Sequence, residues 1–351
     1  MDTPERIITY AEALCEATQQ EMERDQAVIL FGIGVDDFKG TWGTTKDLHK
    51  KFGRERVFDT PLSEEAMTGV AIGAALAGLR PIHVHIRMDF VMLAMNQIVN
   101  IAAKARYMYG GSINVPMVVR SVIGRSWGQG AQHSQGLHSF FMHLPGLKVV
   151  APSTPYDAKG CLIQAIRDPN PVMFIEQRML HFGKGHVPPE SYMVPFGKAR
   201  ILRPGTDVTL VGISYMAVEC LRAARHLAEI GISAEVIDPV SLVPLDIESI
   251  CSSLRKTGRL LVVDTAWTNC GATAEILSQA VERLQGEREL RVGRLGYEPV
   301  VCPPTKSLEK LYYPNPQTIA SRAYTLVNGN RQMWMPSGEL APELVEFRGP
   351  F

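Results

Sequence analysis

Two adjacent acids, Glu64 and Glu65, stand in "DTPLSEEAMTGVAIGAALAGL", after a Thr-Pro-Leu-Ser turn and before an almost wholly apolar run. A carboxylate at a helix start is ordinarily a favourable charge at the positive end of the helix dipole. An acid carried to the edge of a core has a second use, as a proton donor or acceptor whose pKa burial can move. Downstream, His83, His85 and Arg87 alternate in "RPIHVHIR", so a strand there puts all three on one side. As a metal site this set lacks a third ligand, and polar residues near a strand's exit are the simpler reading. The Gly-rich stretch "GRSWGQGAQHS" carries Arg125, Gln129 and His133. A histidine exchanges protons near neutral pH, and an arginine binds a carboxylate or phosphate bidentately. "AIRDPN" ends a helical pattern in residues that favour a turn. The specific signatures of other chemistries are missing. "GIGVDDFKG" lacks the GxGxxG spacing, and there is no nucleophile elbow and no HExxH.

These residues need elements to position them. Apolar spacing predicts a helix over 8–25 with Thr9 as N-cap, then a buried strand over 27–34. A buried helix over 66–79, a strand over 80–86 and a helix over 90–108 follow. After strands at 115–124 and 147–154 comes a helix over 155–168 with Pro155 in its first turn, and then a strand at 171–177. This alternation implies a parallel sheet covered on both faces. The prolines of "HVPPESYMVPFGKARILR" mark a linker, and a second strand–helix alternation runs from 207 to 286. The expected organisation is α/β throughout: a first domain over 1–186, a linker over 187–203, a smaller domain over 204–330, and a tail over 331–351. The tail has no clear periodicity and could pack on a partner.

Composition bounds the function. A chain of 351 residues is long for one domain, and its 46% hydrophobic and 21% charged content suits a globular enzyme. Lys plus Arg and Asp plus Glu are each 36, so no basic excess exists to hold a phosphate backbone, and nucleic acid is not an expected partner. The apolar run 66–79 is too short and too rich in Gly and Ala to span a bilayer, so no membrane is expected. "MDTPERIITY" has no basic start followed by an apolar block, unlike a signal peptide. Cys15, Cys161, Cys220, Cys251, Cys270 and Cys302 are scattered without close pairs, which argues against zinc or disulfides and fits a cytoplasmic protein.

The motifs together resemble a known family. It is the beta subunit of the thiamine-diphosphate-dependent decarboxylating component of 2-oxo acid dehydrogenase complexes, pyruvate dehydrogenase-like and part of the transketolase superfamily. The likeness covers about residues 5–325. "DTPLSEEAMTGVAIGAALAGLRPI" looks like its hallmark segment, and "AQHSQ", "PGLKVVAPSTPYDAKG" and "AIRDPNPV" follow in the family's order and spacing. The resemblance implies a pyrimidine-binding domain with a parallel sheet, followed by a smaller transketolase C-terminal-like domain for dimer contact and docking. It implies that Glu64 hydrogen-bonds N1′ of the cofactor's aminopyrimidine, favouring the imino tautomer that activates the thiazolium. Phe90 falls on the aromatic that stacks on that ring, and His133 on the active-site histidine near the reacting carbon. In relatives that carry it, a potassium ion is held by the positions matching Met117, Ala165, Ile166, Asp168 and Asn170. Magnesium and the diphosphate are held in the superfamily by a Gly-Asp-Gly segment, which this chain lacks. The resemblance therefore implies an alpha partner that supplies that half-site, in an α2β2 heterotetramer.

Some positions depart from the family pattern. Ile33 follows Gly32 where an acid is usual, which puts in doubt the acidic path linking two active sites. Arg87 and Met88 are unusual before Phe90, and Leu93 replaces a polar residue. Arg125 and Gln129 precede His133, and with Arg87 they are candidate substrate residues. Val240 stands where arginine is common, and "DTAWTNCGATAEI" lacks the usual acidic pair. Two readings follow. In one, a 2-oxo acid is decarboxylated and the acyl group passes to a lipoyl acceptor on an acyltransferase, as in an oxidoreductase complex. In the other, a split transketolase-like or acyloin-forming carboligase moves a two-carbon unit from a 2-oxo acid or ketose to an aldehyde or ketone.

Overall fold

The computed structural model describes residues 6–37, 39–124, 128–329 and 334–337. The chain forms two compact units, neither continuous in sequence. The first is drawn from Met1–Gly124, Phe140–Phe196 and Ser241–Pro244, and the second from Arg125–Ser139, Gly197–Val240 and Leu245–Phe351.

Among the described residues, the first unit is built on a seven-stranded sheet. Its order is Ser241–Val243, Lys148–Val150, Val172–Gln177, Val118–Ile123, Arg80–His85, Val28–Gly32 and Val57–Asp59. All neighbours are parallel except Ser241–Val243, which runs antiparallel to Lys148–Val150. Val28–Gly32, Val118–Ile123 and Val172–Gln177 are buried along their whole length. Their near-continuous apolar text is what a sheet covered on both faces requires. Thr9 caps the helix Tyr10–Arg24 through a capping box with Glu12, as its Thr-x-x-Glu spacing dictates. Thr154 accepts from the Asp157 amide at 3.0 Å and Pro155 opens the helix Pro155–Arg167.

The structure differs from the sequence expectations in three places here. The helix expected over 66–79 is Glu64–Leu76, and it is not wholly buried. Thr68, Ala71, Ile72 and Ala75 face the core, while Val70 and Leu76 are half exposed, at 51% and 52%. Small and apolar residues on all sides of a helix look the same whether its outer face meets core or solvent. The helix expected over 90–108 is instead the succession Met88–Val91, Met92–Ala94, Gln97–Ala102 and Ala103–Met108, with a π turn at Gln97–Ala102. Ile98, Val99, Asn100 and Ile101, all weak helix formers, fall on that wide turn. Arg87 lies beyond the strand Arg80–His85, at the head of Met88–Val91, so only His83 and His85 share the strand face.

The second unit carries a five-stranded sheet in the order Arg291–Tyr297, Arg259–Trp267, Val208–Gly212, Ala234–Asp238 and Arg200–Arg203, the last antiparallel. Helices Tyr215–Glu229, Ile247–Thr257, Ala272–Leu284 and Pro316–Asn328 pack with it. Arg200–Arg203 lies within the stretch expected as a linker. Arg291–Tyr297 was not foreseen, because it alternates poorly and holds Gly293 and Gly296. The tail expected over 331–351 falls outside the described residues except at 334–337. The fold class is α/β, with a seven-stranded sheet in the first unit and a five-stranded sheet in the second. Among the described residues, no helix is long and apolar enough to cross a membrane.

Candidate functional site

Glu64 opens the helix that follows the edge strand Val57–Asp59, at the carboxyl end of the parallel sheet. Ligands bind at that end in open α/β sheets. Four residues on, at one helical turn, Thr68 is fully buried and its Oγ1 lies 3.4 Å from Nε2 of His85. Glu64 thus continues the inward stripe Thr68–Ala71–Ile72–Ala75 and is half-buried, whereas Glu65 is exposed. Helical spacing separates the two acids that sequence leaves adjacent. Gly32 underlies this edge. Its φ is +150°, and a Cβ there would meet the Val84 carbonyl oxygen at 2.2 Å.

Beneath Thr68, the rings of His83 and His85 meet edge to face with centroids 4.3 Å apart. Nδ1 of His83 donates to the Phe31 carbonyl at 3.4 Å. Burial lowers His83 to about 4, only partly offset by that bond. Burial and then His83 itself hold His85 well below the ordinary histidine range. Both rings are neutral at neutral pH, and they act as packing and hydrogen-bonding groups. Among the described residues, no group of three His, Cys, Asp or Glu could hold a metal ion.

Phe90 is half-buried, and its amide donates to the Arg87 carbonyl at 3.3 Å. The Arg87 side chain is 8% exposed and lies with its guanidinium carbon 4.9 Å from the Trp42 ring centroid. Burial lowers its pKa to about 10, against Asp89, so it stays charged. Arg178, which follows the strand Val172–Gln177, lies 4.8 Å from the same ring. Trp42 also meets His181 at 5.9 Å, and His181 Nε2 donates to Glu176 at 3.3 Å. Glu176 is fully buried and forked by Arg120 at 2.6 and 3.0 Å. Burial raises its pKa, but Arg120 and the bonds from His181 and Arg120 outweigh that and hold it at about 2. Sequence reasoning singled out Arg87 and missed Trp42 and Arg178. They lie on the short 3-10 turns Thr41–Gly43 and Arg178–Leu180, which follow different strands, and no short motif links them.

In the second unit, Gln129 and His133 flank the short turn Gly130–Gln132, and both are half-buried. Ser134 Oγ donates to the Gly130 carbonyl at 2.8 Å, and Tyr297 donates to the Ser134 carbonyl at 3.2 Å. A Cβ on Gly136 would lie 2.0 Å from the Thr265 carbonyl oxygen, so only glycine fits there. Two residues on, His138 donates to Asp264 at 2.7 Å, each about 1% exposed. This buried pair fastens the segment that carries His133 to the strand Arg259–Trp267. Thus Glu64, Phe90 and Arg87 belong to the first unit, while Gln129 and His133 belong to the second. Arg125 lies outside the described residues.

The loop expected to hold potassium is already hydrogen-bonded. The Met117 carbonyl accepts from the Val172 amide at 3.0 Å, and that of Ala165 from the Asp168 amide at 3.2 Å. Arg80 donates to the Ile166 and Asp168 carbonyls at 3.0 and 3.5 Å. The Asn170 amide donates to the Asp168 carboxylate, which also takes the Lys148 ammonium at 2.7 and 2.5 Å. A carbonyl has a second lone pair, but a potassium ion would share this loop with a guanidinium. A cleft of about 630 Å³ lined by Ala102, Arg106, Tyr107, Lys148 and Asn170 lies beside the same loop.

Comparison with known proteins agrees with this architecture. Residues 6–182 match the transketolase pyrimidine binding domain, and residues 197–319 match the transketolase C-terminal domain. A solved structure described as a split gene transketolase, an inactive beta4 tetramer, shares the fold. It has a TM-score of 0.72 at 23% identity, over 91% of this chain and 99% of that one. The acetoin:2,6-dichlorophenolindophenol oxidoreductase subunit beta of Cupriavidus necator is 44% identical, covering 93% of this chain and 99% of its own. The pyruvate dehydrogenase E1 component subunit beta of Porphyra purpurea is 42% identical, covering 91% and 97%. The Bacillus subtilis acetoin oxidoreductase subunit beta is 41% identical, covering 90% and 96%. The chain therefore belongs to the transketolase superfamily, in the family of pyruvate dehydrogenase-type and acetoin oxidoreductase-type beta subunits.

Proposed function

We propose that this chain is the beta subunit of a thiamine-diphosphate-dependent enzyme that takes an acyl unit from a 2-oxo acid such as pyruvate. It passes that unit to a lipoyl group on an acyltransferase. One observation carries the reading. Glu64 stands half-buried at the head of an inward helix stripe, at the carboxyl edge of the parallel sheet, in a chain whose relatives are such beta subunits. The donor set fits the pyrimidine end of the cofactor: a carboxyl group for N1′ and an aromatic, Phe90, to stack on the ring. Offset stacking adds about 0.5–1.5 kcal/mol beyond buried area. Thiamine diphosphate, when bound, supplies a carbon nucleophile that adds to a carbonyl and stores the electron pair released when the adjacent bond breaks. Glu64 holds the proton on N1′, Phe90 orients the ring, and His133 moves a proton when the acyl group is handed on. Gln129 and Arg87 contact the substrate, and Arg125 is proposed for the same role from sequence.

The chain has no Gly-Asp-Gly segment, so magnesium and the diphosphate fall to an alpha subunit, in an α2β2 assembly. The exposed outer face of Glu64–Leu76 is an apolar surface for that partner. Potassium at Met117, Ala165, Ile166, Asp168 and Asn170 would order the loop without joining the chemistry. The six cysteines are thiols, which suits a cytoplasmic setting. A second reading is favoured by relatives named for acetoin at 44% and 41% identity. Cleaving or forming an acyloin moves the same two-carbon unit as pyruvate decarboxylation, so a carboligase or acetoin-cleaving enzyme would use the same residues.

The test is the chain purified with its alpha subunit, thiamine diphosphate and magnesium, supplied with pyruvate or acetoin. A lipoyl domain and a panel of aldehydes are offered separately. Acyl transfer to the lipoyl domain supports the first reading. A lengthened hydroxyketone supports the second. Glu64→Gln should lower turnover by about a hundredfold or more, on the scale of a lost acid–base group, with the assembly intact by size-exclusion chromatography. Near-normal turnover would remove Glu64 from the chemistry.

A further inference from the structure

We propose that His138 and Asp264 are positioning residues. Their buried bond seats the segment 134–138 in the crevice of the second unit's sheet and so fixes His133 for the hand-off of the acyl group. The proposal rests on the role given to His133 above and extends it to residues that do not touch the reacting atoms.

Three observations lead there. The first is the crevice. From Val208–Gly212 the chain passes through the helix Tyr215–Glu229 to Ala234–Asp238 on one side. It then passes through Ile247–Thr257 to Arg259–Trp267 on the other. The order of strands therefore reverses between Val208–Gly212 and Arg259–Trp267, and open α/β sheets hold their ligands at the carboxyl ends of such a pair. Gly212 is paired with Val263, so Asp264 is the first residue of its strand beyond that pairing. The ladder of the same strand with Arg291–Tyr297 shifts register between Val263 and Trp267. Asp264 and Thr265 thus stand at the mouth of the crevice, and what meets them there is a segment of this chain.

The second is the seating. Alternate residues of the segment touch the carboxyl ends of two strands. The Ser134 carbonyl accepts from Tyr297 at 3.2 Å, a Cβ on Gly136 would lie 2.0 Å from the Thr265 carbonyl oxygen, and His138 donates to Asp264 at 2.7 Å. A spacing of two is that of an extended run laid along a surface. Ser134, Gly136 and His138 are buried, while His133, one residue ahead of the first contact, is half-buried.

The third is the nature of the bond. His138 and Asp264 are each about 1% exposed, and their mutual bond is the only hydrogen bond that either side chain makes among the described residues. His138 Nδ1 and Asp264 Oδ1 are buried without a partner there. Taking a carboxylate and an imidazole out of water is a poor way to gain stability, and an apolar pair of similar volume would serve a core as well. One directional bond with no alternative partner admits a single arrangement instead. Catalysis is sensitive to that arrangement, since a displacement of about 1 Å costs about a hundredfold in rate.

The test uses the assembled complex with the donor and acceptor that prove active. His138→Leu should slow acyl transfer by about 10–100-fold, while the KM of the donor and its cleavage in the first turnover change by less than about threefold. His138→Gln keeps a donor for Asp264 and should recover most of the rate. His138→Leu with Asp264→Leu removes the unpaired carboxylate, so the melting temperature should return towards wild type while transfer stays slow. On top of His133→Ala, His138→Leu should add almost nothing. Without substrate, amide hydrogen exchange in the segment 134–138 should rise by about tenfold in His138→Leu. Transfer that recovers together with the melting temperature in the double variant, or equal loss at both steps, would make the pair a fixture of the fold alone. A full additional loss on top of His133→Ala would overturn the proposal in the same way. Near-normal transfer in His133→Ala would sink the role given to His133, and hydrogen exchange would still decide whether the pair seats the segment.

Discussion

At the scale of single residues, the buried histidines make a clear prediction about acid. His83 titrates near 4 in the folded chain against an ordinary 6.5, chiefly through burial. His85 is lowered well below that ordinary value for the same reason. Between pH 6.5 and 4 the unfolded chain binds protons that the folded chain refuses. Stability is thus complete above 6.5 and is lost as pH falls towards 4. Melting temperature should drop steadily across that window, and His83→Leu should flatten the drop; an unchanged slope would refute the assignment. Much at this scale was legible in sequence. Glu64 could be nominated from a motif for the role proposed above, and helical spacing separates it from Glu65. Trp42 and Arg178 could not, because their meeting depends on turns after strands far apart in the chain. His83 and His85 were legible as a pair on one face, but not as a stack closed by Thr68.

At the scale of elements, the helix Glu64–Leu76 has one face in the core and one in solvent. Val70 is 51% exposed, and a Cβ added at Gly73 would meet nothing within 4 Å. Val70→Glu should therefore change the stability of the isolated chain by no more than about 0.5 kcal/mol, as surface changes do. It should nonetheless block association with the alpha subunit, read by co-purification. Loss of stability in the isolated chain would place that face in the core instead. Sequence text identified the helix, with bounds two or three residues late, but not this division, since Ala, Gly and Val serve a core and an interface alike. Elements with strong punctuation were readable: Thr9 as a cap and Pro155 in a first turn, whereas Thr154, read as the end of a strand, proves to be the cap of Pro155–Arg167. The strand Arg291–Tyr297, with glycines and no alternation, was not.

At the scale of the whole molecule, the two units exchange segments. The strand Ser241–Val243 comes from beyond the second unit's first strands and closes the edge of the first sheet against Lys148–Val150. A fragment ending at Phe196 would leave Lys148–Val150 as an open edge with two fully buried valines, Val149 and Val150, beside it. That fragment should scatter light and melt below the full chain, and a soluble fragment with the full chain's melting temperature would refute the role of the strand. The consequence reaches into heredity. A gene break anywhere between the codons for Phe196 and Ser241 would separate a sheet from its own last strand. Recombination that shuffled these two modules among other genes would meet that obstacle each time.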